Sequence, residues 1–423
     1  MHYTGILCGN FSTRGAQLTP EGHDAKWQHA VKSDKERNIG HRYYYSRFYD
    51  VCFGDKSQGI DGFNRYVYDL DAERGEVTLE FGERQYKVRV ERLGIYICPF
   101  DIALFSIMVS METDDYDDIS RVMFQLRNIM NYDDNESIKP FVDVAVEPIM
   151  SYCSAIGDVE NVASRYEHLM LYGNKLKIFQ IVNVDECDSE AKFNDRSLYD
   201  LATLSLKPNG AKALDGMNDV HFNKIMAQNS LSVYNNWMAL SLIDSFTILG
   251  VDISDSNRCN WIDNYFGMIY LYCLFVKVYL FALNNDYDAA KRRSRRSMIS
   301  ETYDDFETKY YFIDISYNFL PRMIDDHISK ALEIESEKSR VYERIGRQNM
   351  IREKRADSRM NRLLFVITSL TLFSAIWDGA SLINEMFPYK EFMCSTAVGF
   401  RFVSLCFMLL VTIFCLLTFR RRR

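Results

Sequence analysis

Two apolar segments stand near the end of the chain, residues 363–387 and 392–419, with only Pro388-Tyr389-Lys390-Glu391 between them. Each exceeds the roughly 20 residues that a helix needs to cross a bilayer. In lipid the backbone must satisfy its own hydrogen bonds as helix, so a four-residue link permits only an antiparallel return. The spacing therefore predicts a transmembrane hairpin: a first helix over 363–387, an outer loop over 388–391, and a second helix with its tail over 392–423.

Charge orients the hairpin. Lys338, Arg340, Arg344, Arg347, Arg352, Lys354, Arg355, Arg359 and Arg362 precede it, and Arg420 to Arg423 follow it. The loop holds one lysine and one glutamate. The positive-inside rule then puts both termini in the cytoplasm of a multi-pass inner-membrane protein. The start, Met1-His2-Tyr3-Thr4-Gly5, has no basic stretch leading into an apolar core, so no signal peptide is expected. From Lys338 onward there are 15 Lys/Arg and 6 Asp/Glu, a net of +9; the remainder carries 35 against 52, or −17, of the total −8. An acidic body on a basic stem suits anionic lipid at the stem. It argues against direct nucleic-acid binding by the body. Ten cysteines lack Cys-x-x-Cys or zinc spacing and read as reduced thiols.

The body begins as α+β. Residues 1–60 are polar, aromatic and interrupted by Gly5, Gly9, Gly15, Gly22 and Gly40. Within them His41-Arg42-Tyr43-Tyr44-Tyr45-Ser46-Arg47-Phe48-Tyr49 mixes cations with rings. Arg42, Tyr44 and Arg47 there could stack a base and hold phosphate; a half-buried strand or helix is the plainer reading. Strands are expected at Tyr66-Val67-Tyr68, Val77 to Phe81 and Tyr86 to Val90, on either side of a Pro99-Phe100-Asp101 turn, and at Lys177 to Val184. Asp117-Asp118 can cap a helix carrying Val122, Phe124, Leu126 and Ile129. From about Asp219 the patterns read as helical, including 230–249. Residues 266–283 are an apolar run with one charge, Lys277, and read as a buried core helix rather than a third span. Between Arg322 and Phe387 there is no proline, and only Gly346 and Gly379 interrupt the helix formers. The expected layout is thus 1–218 α+β, 219–321 helical, 322–362 a stalk helix, then the hairpin.

Thr371, Ser374, Asp378, Ser381 and Glu385 are spaced 3, 4, 3 and 4, and fall within about 60° of Asp378 on one helix face. Such a stripe faces other helices or water, not lipid. It reads as a pore wall, or alternatively as interhelical hydrogen bonds with two carboxylates at the outer interface. Arg401 in the second segment lies at a depth similar to Asp378, so the two can pair, or Arg401 can snorkel to the headgroups.

This layout resembles the CorA-type divalent-cation channel family: an α/β cytoplasmic body, a stalk helix running into the first span, a short outer loop, a second span and a basic tail. Members typically end the first span with Gly-Met-Asn. Here the place reads Leu382-Ile383-Asn384, followed by Glu385-Met386-Phe387-Pro388, so Asn384 alone carries over as an outer-mouth residue. The departure speaks against ordinary magnesium selectivity. It turns attention to divergent CorA-like effectors of type III CRISPR systems, which as a class are gated by a nucleotide messenger, an S-adenosylmethionine–AMP conjugate. The resemblance implies a homo-oligomer, pentameric by analogy, with Mg2+ or another divalent cation as cargo and a nucleotide-type ligand as regulator. Asp114, Asp115, Asp117 and Asp118 could hold regulatory metal, or form a solvated cap. Arg292, Arg293, Arg295 and Arg296 could hold phosphates, or form a solvated linker. No enzyme motif is present: no Walker loop, no Gly-x-Ser-x-Gly and no His-Glu-x-x-His. The functions in play are a messenger-gated defence channel, a housekeeping magnesium channel, and a non-conducting membrane-tethered sensor or scaffold.

Overall fold

The computed structural model describes residues 1–13, 26–54, 62–133, 135–154, 170, 172–205, 218–290 and 292–386. The chain divides into two compact units, Met1–Val341 and Tyr342–Arg423. The first is mixed α+β around one sheet. Its strands are β1 (His2–Ser12), β2 (Gln28–His29), β3 (Asn64–Asp69), β4 (Glu76–Phe81), β5 (Arg84–Cys98), β6 (Ile102–Glu112), β7 (Lys177–Val184), β8 (Ser230–Tyr234), β9 (Trp237–Ser241) and β10 (Ser245–Val251). Their order is β2-β3-β5-β6-β1-β7-β10-β9-β8, with β4 on the first half of β5. All neighbours are antiparallel except β7 and β10.

β1 is the centre of the sheet. Tyr3 through Phe11 are all buried because helices cover both faces. The glycines expected to break periodicity here instead admit rings. A Cβ on Gly5 would sit 2.1 Å from the Tyr3 hydroxyl, and one on Gly9 would sit 2.0 Å from the Phe105 ring. Alternate residues of each strand face opposite layers. Tyr3, Leu7, Ile178 and Val182 pack in one core with Ile119, Val122 and Leu198 of helices Tyr116–Leu126 and Asp195–Thr203. Phe179 and Phe246 face the other way, onto Tyr270 of helix Phe266–Ala289, at 6.0 and 6.3 Å between ring centres.

The β5–β6 turn falls where Pro99-Phe100-Asp101 placed it. Phe100 and Asp101 both have positive φ, 63° and 58°. Burial of the Phe100 ring against Tyr279 (4.7 Å) and Tyr310 (5.3 Å) offsets that conformation. Helix Tyr116–Leu126 is capped by Asp115, whose carboxylate accepts from the Asp117 amide, two residues before the expected cap.

Residues 230–249 correct the sequence reading: they are the strands β8, β9 and most of β10, not helix. β10 is buried at every position but its last, so it shows no alternation to betray a strand. Its apolar residues also fit helical spacing by chance. The 219–321 stretch is therefore mixed, starting with helix Asp219–Asn229 and resuming helix at Asp255–Asn264.

Helix Phe266–Ala289 is the core helix that Lys277 marked. It lies in an apolar stretch long enough to cross a bilayer, but 83% of that window is buried inside the protein. Lys277 is itself buried. Its Nζ donates to Glu337 Oε1 at 3.1 Å, and Asn284 donates to Glu337 Oε2 at 3.1 Å. The proline-free run does not form one helix from Arg322. Helix Phe319–Ala331 ends at Leu332, Glu333 turns with φ 56°, and a new helix runs over Ile334–Met386. No helix-breaking residue signals this stop.

In the second unit the helix segment Ala356–Gly379 contains an apolar stretch with a mean hydropathy of 1.4, none of it buried. By length and composition it is long and apolar enough to cross a membrane, which associates the chain with a bilayer. The loop 388–391, the second segment 392–419, Arg401 and the terminal arginines lie outside the described residues.

Candidate functional site

The first unit contains a cavity of about 380 Å³ whose walls are mostly aromatic, within the roughly 300–1,000 Å³ range of small-molecule sites. Three segments far apart in sequence supply most of it, with Tyr49 and Leu320 completing the wall. The first is helix Asp34–Tyr43. A capping box starts it: Glu36 accepts from the Ser33 amide (2.9 Å) and hydroxyl (2.7 Å), and Ser33 Oγ accepts from the Glu36 amide. It presents Glu36, Ile39, Gly40 and Tyr43 to the cavity. Gly40 is required by close approach, since a Cβ there would lie 2.0 Å from the Tyr49 ring. The helix stops at Tyr44, which is extended, buried, and donates its hydroxyl to the Asn264 carbonyl at 3.2 Å.

The second segment is the β8–β9 hairpin. Tyr234 and Trp237 pair across it, with ring centres 6.1 Å apart. The third is helix Asp255–Asn264, begun by Ser254, whose hydroxyl accepts from the Asn257 amide. It contributes Asn260 and Trp261 and, one helical turn on, Asn264. Tyr265 breaks the chain between this helix and Phe266–Ala289 with φ −130° and ψ −101°, and its ring lines the cavity. The rings form a connected wall: Trp237 lies 6.0 Å from Trp261 and 5.5 Å from Phe266, and Tyr265 lies 6.4 Å from Tyr43. These spacings are those of favourable aromatic pairs.

The electrostatics are simple. Burial holds the Tyr44 and Tyr265 phenols well above their ordinary range. Burial, with the Glu36 carboxylate adding, pushes Tyr49 up to about 12. All three rings are neutral at physiological pH. Hydrogen bonds from Ser33 hold the Glu36 carboxyl below its ordinary value, so it is ionised. Asn264 donates to Asn260 Oδ1 at 3.1 Å and accepts from Lys32 Nζ at 2.7 Å. Among the described lining residues there is no lysine or arginine.

Of the base-stacking candidates, Tyr44 lines this cavity, and its neighbours Tyr43 and Tyr49 join it. Arg42 and Arg47 do not. Arg42 is exposed and its carbonyl accepts from Tyr317 and Asn318. Arg47 donates to the Thr308 carbonyl and lies 6.0 Å from the Phe312 ring. The cluster reads as two short helices packed by their rings, with a small cavity on one side. Trp237, Asn260, Trp261 and Asn264 were not singled out from sequence; the one signal was that two of only four tryptophans fall here.

The remaining candidates are dispersed. Arg292 is exposed at the start of helix Arg293–Lys309, Arg295 reaches Asp286 at 3.9 Å, and Arg296 donates to the Ala290 carbonyl and lies over Tyr287. Asp114 meets the N-terminal amine at 3.7 Å, Asp115 caps its helix, Asp117 sits in that helix's first turn, and Asp118 pairs with Arg84 and Thr113. Among the described residues no group of three or more His, Cys, Asp or Glu could hold a metal ion. Thr371, Ser374, Asp378 and Ser381 are exposed along the Ile334–Met386 helix, and Ser374 reaches Asp378 at 3.5 Å. Asn384 and Glu385 fall in its last turn, and the Asp378–Arg401 pairing lies outside the described residues. Comparison of the chain with family models, curated proteins and solved structures gives no significant match.

Proposed function

We propose that the chain is a CorA-like, homo-oligomeric membrane channel whose α+β body binds a small regulator and biases the pore between closed and open. The observation that carries this reading is the exposed apolar helix stretch Ala356–Gly379. A one-sided polar stripe at Thr371, Ser374, Asp378 and Ser381 runs along and just past it. An unpartnered apolar surface of that length needs lipid, and a hydroxyl and carboxylate stripe within it needs other helices or water. Copies packed stripe to stripe satisfy both demands and leave acidic groups facing an axis, which favours cations. A regulator opens such a pore only by binding the two states unequally.

The test is ion flux from purified full-length protein in liposomes. Flux that Asp378→Asn reduces supports the reading. Absence of flux at every regulator tried overturns it in favour of a membrane-tethered sensor or scaffold. The narrower form, an antiviral effector opened by a nucleotide messenger, requires the S-adenosylmethionine–AMP conjugate to raise that flux. A housekeeping role instead requires rescue of a magnesium-starved strain.

A further inference from the structure

The aromatic cavity has a chemical bias that the channel reading does not use. Tyr43, Tyr234, Trp261 and Tyr265 present neutral, electron-rich rings around it. The only ionised side chain in its described lining is the Glu36 carboxylate. Lys32, the cation beside it, turns its Nζ to Asn264 Oδ1 and to Glu36 (3.6 Å) instead of lining the cavity. An anionic group brought in here would meet aromatic rings and a carboxylate, with no lysine or arginine in the described lining to receive it. A cation would meet both favourably, because the ring quadrupole attracts positive charge over its face. A strongly hydrated ammonium would lose its shell in an apolar enclosure. A cation clothed in methyl or methylene groups loses far less and fills the volume with apolar contact.

We propose that this cavity is a binding site for a small organic onium cation, of the quaternary-ammonium type, held among the Tyr43, Trp261 and Tyr265 rings, with the half-exposed Glu36 carboxylate, which also pairs with Lys32 at 3.6 Å, adding attraction at its edge. The back of the site, Tyr44, Trp237 and Phe266, is buried and fixed, so the site needs little ordering when it fills. Tyr43 and Tyr234 are about half exposed and form the rim through which the ligand enters.

The inference does not rest on conduction and is tested by binding alone. The full chain is purified in a maltoside detergent, which carries no onium group, and choline is titrated against it by calorimetry. A parallel titration uses 3,3-dimethyl-1-butanol, the neutral carbon isostere of choline. Saturable choline binding, at least about tenfold tighter than the isostere, is the expected result. Glu36→Gln keeps the cap's acceptor and removes the charge, and should weaken choline by about threefold to tenfold with only a small fall in melting temperature from the lost Lys32 pair and first-turn charge. Tyr43→Leu, at an exposed rim position, should do the same, while Tyr43→Phe retains affinity. Equal binding of the isostere overturns the proposal, since the cavity would then be a plain apolar one. Tighter binding of a neutral flat heterocycle such as caffeine overturns it in favour of stacking. No binding of choline at tens of millimolar overturns it outright, whatever the flux assay shows.

Discussion

Asp325 sets a pH dependence that one substitution can isolate. It lies in helix Phe319–Ala331, buried against the core helix, where Cys273 donates to its carboxylate at 3.2 Å. Burial drives its pKa from 3.8 up to about 7; Asp326 and Asp314 add to the rise, and the Cys273 and Ser329 hydrogen bonds oppose it. The folded protein thus keeps a proton there that the unfolded chain has released. The stability this contributes is full below the unfolded pKa near 4, declines as pH rises, and is gone above about 7. A shift of about three units at 1.36 kcal/mol each amounts to about 4 kcal/mol. Asp325→Asn mimics the protonated carboxyl and removes the titration: its amide oxygen accepts from Cys273 and its NH2 can face Ser329. At roughly 2.1 cal/mol/K of unfolding entropy per residue, the 341 residues of Met1–Val341 melt about 1.4 °C higher per kcal/mol. The Tm of Asp325→Asn, relative to the parent chain, should therefore rise by about 5 °C between pH 4.5 and 8 and be level above that. Thermal unfolding followed by near-ultraviolet circular dichroism across that range reads it. Because both proteins share every other titrating group, the difference belongs to Asp325. A Tm difference constant with pH would show that Asp325 titrates normally, and the burial argument would be wrong.

Further outcomes follow from other positions. Lys277→Met leaves the buried Glu337 carboxylate with only Arg340 (3.4 Å) and Asn284 (3.1 Å) and should cost up to about 3 kcal/mol by denaturant unfolding, whereas Lys277→Met with Glu337→Leu should recover much of that loss. Gly40→Val drives a side chain into the Tyr49 ring and should destabilise by about 1–3 kcal/mol, as well as shrink the aromatic cavity, read as loss of choline affinity and a lower Tm. Glu333→Gly relieves a left-handed residue between two helices and should gain about 1 kcal/mol; a loss of stability would mean that the Glu333 side chain, not its backbone, is what matters there.

Local chemistry made much of this fold legible. The turn at Pro99-Phe100-Asp101 and the strand Lys177–Val184 could be read because each is bounded by residues with a fixed conformational meaning. Lys277 was legible for a different reason. One charge in the middle of an apolar run is costly in lipid and tolerable in a protein core that supplies a carboxylate, and Glu337 is that carboxylate, 60 residues away. What failed to show were features whose cause is tertiary. β10 shows almost no alternation because layers cover both of its faces, so its pattern cannot be told from that of a helix. The stop at Leu332–Glu333 involves no proline or glycine; it places Glu337 against Lys277 and Asn284, and a continuous helix would have carried the next turn in another direction.

The cavity was half legible, and the missing half has the same cause. Tyr43, Tyr44 and Tyr49 stood out as a cluster, but their meaning depended on what faced them. Arg42 and Arg47 were the cations in view, so a base with its phosphate was the natural partner to imagine. Neither arginine lines the cavity: Arg42 is exposed, with its backbone carbonyl accepting from the Tyr317 hydroxyl, and the Arg47 guanidinium donates to the Thr308 carbonyl. The fold brings in Trp237 and Trp261 from beyond position 230, with Glu36 as the charge. The sign of the site is thereby reversed. A cluster that reads as cation plus ring along the chain becomes ring plus anion in space, and the class of ligand it favours changes from phosphate-bearing to positively charged. Only the packing of the Asp34–Tyr43 and Ser46–Phe53 helices decides which side chains of that cluster face inward. For that reason Glu36→Gln, which alters charge while leaving the packing in place, separates the two meanings more sharply than any change at the arginines.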